Sequence, residues 1–369
     1  MNNKNRYNNK KSYNKNERLR CDILFTENCT LACKYCYETK SRDCKKSQMS
    51  FDILHKSIDY FVERAKDIGL NRTHFILFGG EPMLCPELII EFQKYAQKKE
   101  KKSGIKITSN IITNGTIYNE EMLEEVYKIK GKDFLHIQFS IDGIPESQNI
   151  NRPLIDTNSK ITSAELIARN IKKYHKFFET KGIDKSNLSF HGCISHESLP
   201  HLNDNFIYCA DTLKLSNGSF MTIVEDPNFS IDDIPLYEEQ MGLIYESAKR
   251  LNYPKFPVST FGKNSCCDAG WRHFCVGTEG DIFGCSRFYF NTRNNPEEYN
   301  KFKMGNVNDN YSKHPLDDSN NILVKAMKDF STIEIGNICK ICLSASYERT
   351  GMLCSILNPF LFLRLSLYC

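Results

Sequence analysis

Long apolar runs are scarce in this chain of 369 residues. The one strongly apolar stretch, Ile356 to Tyr368, is interrupted by Asn358, Pro359 and Arg364. It is too short to cross a hydrocarbon layer of about 30 Å as a helix. The N-terminus lacks the apolar core of a signal peptide. Met1 to Arg20 is rich in Asn and Lys and nearly devoid of aliphatic residues. Such a segment buries too little apolar surface to order itself, so residues 1–20 read as a disordered arm. A large excess of charge of one sign is missing too. Lys and Arg number 49 against 45 Asp and Glu, a net +4, and the two signs interleave from residue 50 onward. That gives no case for a nucleic-acid partner. The expectation is a cytoplasmic protein with neither a membrane nor a nucleic-acid partner.

Cysteine is what the sequence has in plenty, with sixteen residues. In a small secreted chain they would suggest disulfides. In a chain of this length without an export signal they suggest metal ligation or redox chemistry. Hydrophobic residues at 40% and charged residues at 25% are ordinary for a globular protein. The length suits one large domain and a smaller one.

From Cys21 to about Leu251 short β-like runs alternate with amphipathic helical segments. The runs are Cys21–Thr26, Thr73–Gly79, Ile105–Thr113, Phe134–Ile141, Leu188–Ile194 and Ser219–Val224. Between them lie Phe51–Lys66, Pro86–Lys99, Glu120–Lys130, Ser163–Phe178, Leu199–Leu213 and Pro235–Leu251. Apolar residues recur there at helical spacing, as in Ile53, Ile58, Phe61, Val62 and Ala65. Successive βα units predict a parallel α/β sheet wrapped by helices. The runs alone do not separate an open sheet from a barrel. The alternation stops after about Tyr253, and Gly, Asn and Cys rise. The expected domains are a core over 21–252 and a cysteine-rich region over 253–369.

The densest motif is Cys29-Thr30-Leu31-Ala32-Cys33-Lys34-Tyr35-Cys36, directly after the first strand. Three thiolates in eight residues can converge on one cluster. A [4Fe-4S] cube normally takes four Cys ligands, so three leave one iron open to a small molecule. Loops at the C-terminal ends of barrel strands are where such folds place their chemistry. A closed zinc site completed by Cys44 or Cys21 is the alternative.

The spacing C-x3-C-x2-C, with Tyr35 before its last Cys, resembles the signature of the radical S-adenosylmethionine (SAM) superfamily. The resemblance implies a partial (β/α)6 barrel of TIM type. It also implies a cluster on Cys29, Cys33 and Cys36 whose open iron chelates SAM, and reductive cleavage of SAM to a 5′-deoxyadenosyl radical. Further matches follow in order. Phe78-Gly79-Gly80-Glu81-Pro82 resembles the motif that holds the SAM amino group; the glycines allow close approach and Glu81 accepts from an ammonium. Thr113-Asn114-Gly115 and Ser140-Ile141-Asp142-Gly143 resemble the family's segments at the third and fourth strand ends. Asn110 falls at a ribose-contacting position, and Arg152 where relatives pair an arginine with the SAM carboxylate, a task suited to a planar fork. The implied cofactor-binding set is thus Tyr35, Gly79, Gly80, Glu81, Asn110, Ser140, Asp142 and Arg152. Singly, each match also fits a turn, a cap or a surface ion pair.

Cys267, Gly280 and Cys285 resemble the opening of a SPASM domain, the auxiliary iron–sulfur module of peptide- and protein-modifying radical SAM enzymes. Gly280-Asp281 reads as a hairpin turn bringing the two thiolates together. Met304-Gly305-Asn306-Val307 resembles the following strand, and Cys339-Lys340-Ile341-Cys342 the C-x2-C pair. The pattern then departs: the later cysteine pair is missing, position 348 is Glu, and only Cys354 and Cys369 remain. The auxiliary ligands expected are Cys267, Cys285, Cys339, Cys342 and Cys354, with Cys266 and Cys275 as reserves. Cys21, Cys85, Cys193 and Cys209 sit in apolar surroundings and read as core residues.

The resemblance implies an oxidoreductase acting on a peptide or protein, with flavodoxin or ferredoxin as electron donor. The favoured reading is a ribosomal-peptide maturase forming a thioether or carbon–carbon crosslink or an epimerised residue. The rival reading is an anaerobic sulfatase-maturing enzyme making formylglycine. Those enzymes use an Asp base ahead of the auxiliary domain, where Phe256–Gly262 holds no carboxylate. Glu225 and Asp226 offer a base at the sixth strand's end, or a turn before Pro227. A non-enzymatic electron carrier or sensor would explain the cysteines but leaves Gly79-Gly80-Glu81, Ser140–Asp142 and Arg152 unexplained.

With Cys29, Cys33 and Cys36 all replaced by Ala, reconstituted protein should still hold about four irons, since a second cube needs three or four further thiolates. Iron and sulfide analysis with electron paramagnetic resonance reads this. No iron would make the later cysteines structural, and about eight would mean that Cys266, Cys275 or Cys369 is recruited.

Overall fold

The computed structural model describes residues 18–38, 47–222, 226, 228–258, 269–270 and 272–309. Residues 1–17 of the arm expected over 1–20, Cys44, Glu225, Cys266, Cys267 and everything from residue 310, including Cys339, Cys342, Cys354 and Cys369, lie outside them. Leu19 and Arg20, assigned to that arm by their polar surroundings, instead open the first strand, where Leu19 is fully buried. The chain divides into two compact units: Met1–Asn28 with Tyr37–Ser109 and Phe261–Ile356, and Cys29–Cys36 with Asn110–Thr260 and Leu357–Cys369.

In the first unit β1 (Leu19–Leu24) pairs in parallel with β2 (Arg72–Phe78). Helix α1 (Phe51–Asp67) connects them, started by the Ser50 side chain accepting from Ile53 N. Helix α2 (Pro86–Ser103) follows β2 and stops at Gly104 in the left-handed region (φ 72°). Phe61, Phe75, Phe92 and Phe274 are all 1% exposed or less and form one aromatic core between helices and sheet.

The cysteine-rich region begins by extending this sheet. Strand β7 (His273–Val276) pairs in parallel with the other edge of β1, so the parallel pattern resumes where the sequence shows no further alternation. The expected hairpin at Gly280 is present. β7 turns antiparallel into β8 (Asp281–Phe283), with Gly280 at φ 88°, and β8 pairs with β9 (Gly305–Asn306). Helices α8 (Ser286–Thr292) and α9 (Pro296–Phe302) lie between β8 and β9 in sequence.

In the second unit the order is β3-β4-β5-β6, all parallel, with β3 at Lys106–Thr113, β4 at His136–Ser140, β5 at Leu188–Ile194 and β6 at Gly218–Thr222. Strand β3 enters this unit at Asn110. Helices α3 (Glu120–Lys130), α5 (Ser163–Lys181) and α6 (Leu202–Ile207) make the crossovers, and α7 (Ile234–Arg250) follows β6. Helix α5 carries a capping box from Thr162 and Glu165. The short helix α4 (Pro145–Asn151), too brief for a helical period to register, follows β4. Phe139 against Tyr174 and Phe190 against Phe220 fill the space between helices and strands. The fold is mixed α/β with a parallel sheet, as the βα rhythm predicts.

One polar link holds β7 to β1. Asp22, 6% exposed, meets His273 Nε2 at 2.9 Å and Arg20 Nε at 3.5 Å. Burial works to raise the Asp22 carboxyl, but His273 and Arg20 outweigh it and hold it below its ordinary value of 3.8. A carboxyl depressed in the fold stabilises above its unfolded value, and that contribution disappears as pH falls through the folded value. Asp22→Asn should therefore cost about 1–3 kcal/mol at pH 7. Urea titrations should show wild type and variant converging as the pH drops below 3.8. A gap that stays constant from pH 7 to pH 3 would assign the loss to packing instead of charge.

Candidate functional site

The loop leaving β1 carries Cys29, Cys33 and Cys36, all half-buried thiols. Local hydrogen bonding fixes its path. Ala32 N donates to Pro153 O (2.8 Å), Lys34 N to Asn151 O (2.9 Å), and Ile155 N to Thr30 O (3.0 Å). The segment 151–155 thus acts as a short template for the loop, and Leu31 bridges Leu154 in antiparallel register. From the end of β3, Asn114 Nδ2 donates to Thr30 Oγ1 (2.9 Å) and reaches Cys29 Sγ at 3.6 Å. Leu31 N also approaches Cys29 Sγ, at 3.5 Å.

Beneath the loop lies a buried ionic knot. Asp142, fully buried at the end of β4, pairs with Arg152 Nη2 at 3.0 Å. Its Oδ1 also accepts from Cys193 N (2.8 Å), and its Oδ2 from the Tyr35 hydroxyl. The Arg152 guanidinium stands 5.1 Å over the Tyr35 ring. Burial opposes the Arg152 charge, yet Asp142 more than offsets it and holds its pKa well above the ordinary value. Burial pushes the Tyr35 phenol well up, and the Cys193 thiol up to about 12.

The sequence expected Asp142, Tyr35 and Arg152 around a cofactor; the structure joins them to each other. Arg152 meets a carboxylate of this chain, that of Asp142. One donor is left over: Arg152 Nε is buried with no hydrogen-bond partner among the described residues. A bound carboxylate would satisfy it, so the residue still fits that ligand. Cys193 is half-buried, with its Sγ 3.7 Å from Arg152 Nη2, and not simply core. A lone Cys in an apolar strand gives no sequence signal for that position.

The glycines of the second strand end have a purpose within the fold. A Cβ on Gly79 would lie 2.5 Å from Thr26 O, and one on Gly80 2.2 Å from Asn28 O. Their smallness lets Gly80 N and Glu81 N donate to Thr26 O and Asn28 O, both at 2.8 Å, tying β2's exit to β1's exit. Glu81 is fully buried and its Oε1 accepts from Met83 N at 2.9 Å. Gly143 is equally constrained, since a Cβ there would sit 2.1 Å from Asn205 Oδ1. Asn110 on β3 is 9% exposed, and Ser140 ends β4 partly exposed. Asp226 caps a turn: its carboxylate accepts from His196 N (2.8 Å) and Asn228 N (3.0 Å), the turn role expected before Pro227. Cys275 is fully buried in β7, and Cys285 immediately precedes α8.

Residues 23–185 match the radical SAM superfamily. The chain thus carries a radical SAM domain and is an enzyme. It is 25% identical over 337 residues, 85% of this chain and 83% of the relative, to a cysteine-type anaerobic sulfatase-maturating enzyme of Clostridium perfringens. Its fold superposes on anSMEcpe with bound AdoMet at a TM-score of 0.70 and 18% identity, covering 95% and 96% of the two chains. It superposes on Streptococcus suis SuiB bound to precursor peptide SuiA at 0.59 and 15% identity, covering 90% and 73%. No helix among the described residues is long and apolar enough to cross a membrane.

The cofactors of a radical SAM enzyme are a [4Fe-4S] cluster and SAM. The donor set fits both. The Cys29–Cys36 loop offers three soft ligands and no hard one. Among the described residues no three Cys, His, Asp or Glu side chains are gathered tightly enough for a single ion.

Replacing Asp142 with Asn leaves Arg152 as an uncompensated buried cation. The metal-free protein should lose on the order of 3 kcal/mol of stability in urea unfolding. Asp142→Asn combined with Arg152→Met should regain most of it. A double variant as unstable as the single would mean that the hydrogen bonds to Cys193 and Tyr35, and not the charge, stabilise this region.

Proposed function

We propose that Cys29, Cys33 and Cys36 hold the cluster and that this chain modifies a peptide or protein. The observation that carries the reading is the Cys29–Cys36 loop, three half-buried thiols on one turn held by the main chain of 151–155. When bound, the cluster supplies the electron, delivered by a flavodoxin or ferredoxin, that cleaves SAM to methionine and a 5′-deoxyadenosyl radical. The residues of this chain bind and orient. Glu81, aimed by its bond to Met83 N, accepts from the SAM ammonium. Arg152 offers its Nε–H to the SAM carboxylate while Asp142 fixes its plane. Tyr35, Asn110 and Ser140 line the nucleoside. Residues 21–252 form the SAM core and 253–369 an auxiliary iron–sulfur domain with Cys267, Cys285, Cys339, Cys342 and Cys354 as ligands.

The peptide substrate is supported by what similar proteins bind and act on. The Clostridium perfringens relative matures sulfatases, and SuiB was solved with a precursor peptide. Ribosomal-peptide maturation is the reading we favour, because Phe256–Gly262 lacks the carboxylate that sulfatase maturation would use there. The sulfatase reading keeps one specific support, the alignment over 85% of this chain. A cysteine-containing sulfatase peptide separates the two: conversion of its Cys to formylglycine establishes sulfatase maturation.

Reduced, reconstituted protein should convert SAM to 5′-deoxyadenosine and methionine, slowly even without substrate. The Cys29/Cys33/Cys36 triple Ala variant should make none; 5′-deoxyadenosine from that variant would place the cluster elsewhere. Glu81→Gln should weaken SAM binding roughly ten- to a hundred-fold with iron content unchanged, as expected for one charge-assisted contact. Unchanged affinity would confine Glu81 to its turn.

A further inference from the structure

Helix α5 and the segments entering β5 and β6 line an open surface cavity of about 440 Å³, within the range of ligand-sized pockets. Lys172, Lys176, Lys185 and Lys214 line it, against the single carboxylate of Glu179. Lys185 takes up Glu179 at 3.4 Å, and Lys214 takes up Asp211 at 2.7 Å. Lys172 and Lys176, one turn apart on α5, have no ion-pair partner among the described residues and are exposed. Two cations therefore face the cavity without compensation.

Two backbone features shape it. Residues Tyr208–Thr212 form a π-helical turn, a rare geometry often found at functional positions. Lys214 follows at φ 55°, a left-handed conformation unfavourable for a long side chain. His175 Nε2 donates to Leu213 O at 2.9 Å and ties α5 to the turn. The outlier at Lys214 thus presents a fourth cation on a pinned loop.

Position in the fold decides what the cavity can do. Lys185 lies just before β5 and Lys214 just before β6, at the N-terminal ends of these strands. Cys193, Ile194 and the Asp142–Arg152 pair lie at the opposite, C-terminal ends. The separation is the length of β5, roughly 20 Å at ~3.3 Å per residue. A group reacting with a SAM-derived radical cannot sit in this cavity.

We infer that the cavity is a docking site for a carboxylate-rich segment of the peptide substrate, remote from the residue that is modified. The inference rests on the peptide-substrate reading above. Charge complementarity selects Glu and Asp side chains. The strand length sets at least about six extended residues between the acidic segment and the reacting residue.

The test uses cluster-loaded enzyme and a fluorescein-labelled hexaglutamate peptide, read by anisotropy. Hexaglutamate should bind with an affinity that falls with salt, and hexaglutamine should not bind. The Lys172→Ala/Lys176→Ala pair should weaken hexaglutamate binding about ten-fold, as expected for two exposed charge contacts. Lys101→Ala/Lys102→Ala, exposed on the last turn of α2, should leave it unchanged. Both variants should form 5′-deoxyadenosine from SAM at the wild-type rate, which reads the functional proposal separately. The inference is overturned by failure of hexaglutamate to bind, by equal loss in the two variant pairs, or by inorganic phosphate displacing the peptide at equal charge concentration, which would make this a phosphate site.

Discussion

The pairing of Asp142 with Arg152, closed by Tyr35, is the contact on which the site depends. Each partner comes from a different place: Asp142 from the end of β4, Arg152 from just after α4, and Tyr35 from the cysteine loop. A buried charge pair costs solvation and stabilises little by itself, but it tolerates few alternative geometries. Here it fixes where the 151–155 segment lies. That segment in turn supplies the carbonyls of Asn151 and Pro153, to which the amides of Lys34 and Ala32 attach. The three thiols are arranged by this chain of contacts, and the loop has no regular secondary structure of its own.

The same economy appears in the first unit. Gly79 and Gly80 bring the exit of β2 against residues 26–28, so that Glu81 is aimed from a backbone already tied to β1. Glu81 and Arg152 each carry an internal contact that sets orientation, from Met83 N and from Asp142. Preorganised polar groups of this kind lose little freedom when an ammonium or carboxylate arrives.

Much of this was legible in the sequence, and for identifiable reasons. The six βα units follow from hydrophobic periodicity, and helix α3 begins and ends at the residues the pattern marks, Glu120 and Lys130. The hairpin at Gly280 follows from its turn chemistry. What the sequence could not reveal were contacts between residues distant along the chain. Asp142 and Arg152 each carry a motif, but nothing in one dimension says that they pair with each other. The parallel pairing of β7 with β1 was missed because the two strands lie some 250 residues apart. Cys193 read as core because a single thiol among apolar residues has no pattern.

The central claim is that main-chain bonds to the 151–155 segment hold the cysteine loop in place. Hydrogen–deuterium exchange on the metal-free protein, resolved to single amides by NMR, tests it most directly. The account predicts that Ala32 and Lys34 exchange much more slowly than in a free peptide of the loop sequence, because both amides are bonded to the 151–155 main chain. Exchange of both at the free-peptide rate would contradict it, and would mean that the cluster, not the Asp142–Arg152–Tyr35 contact, organises the loop.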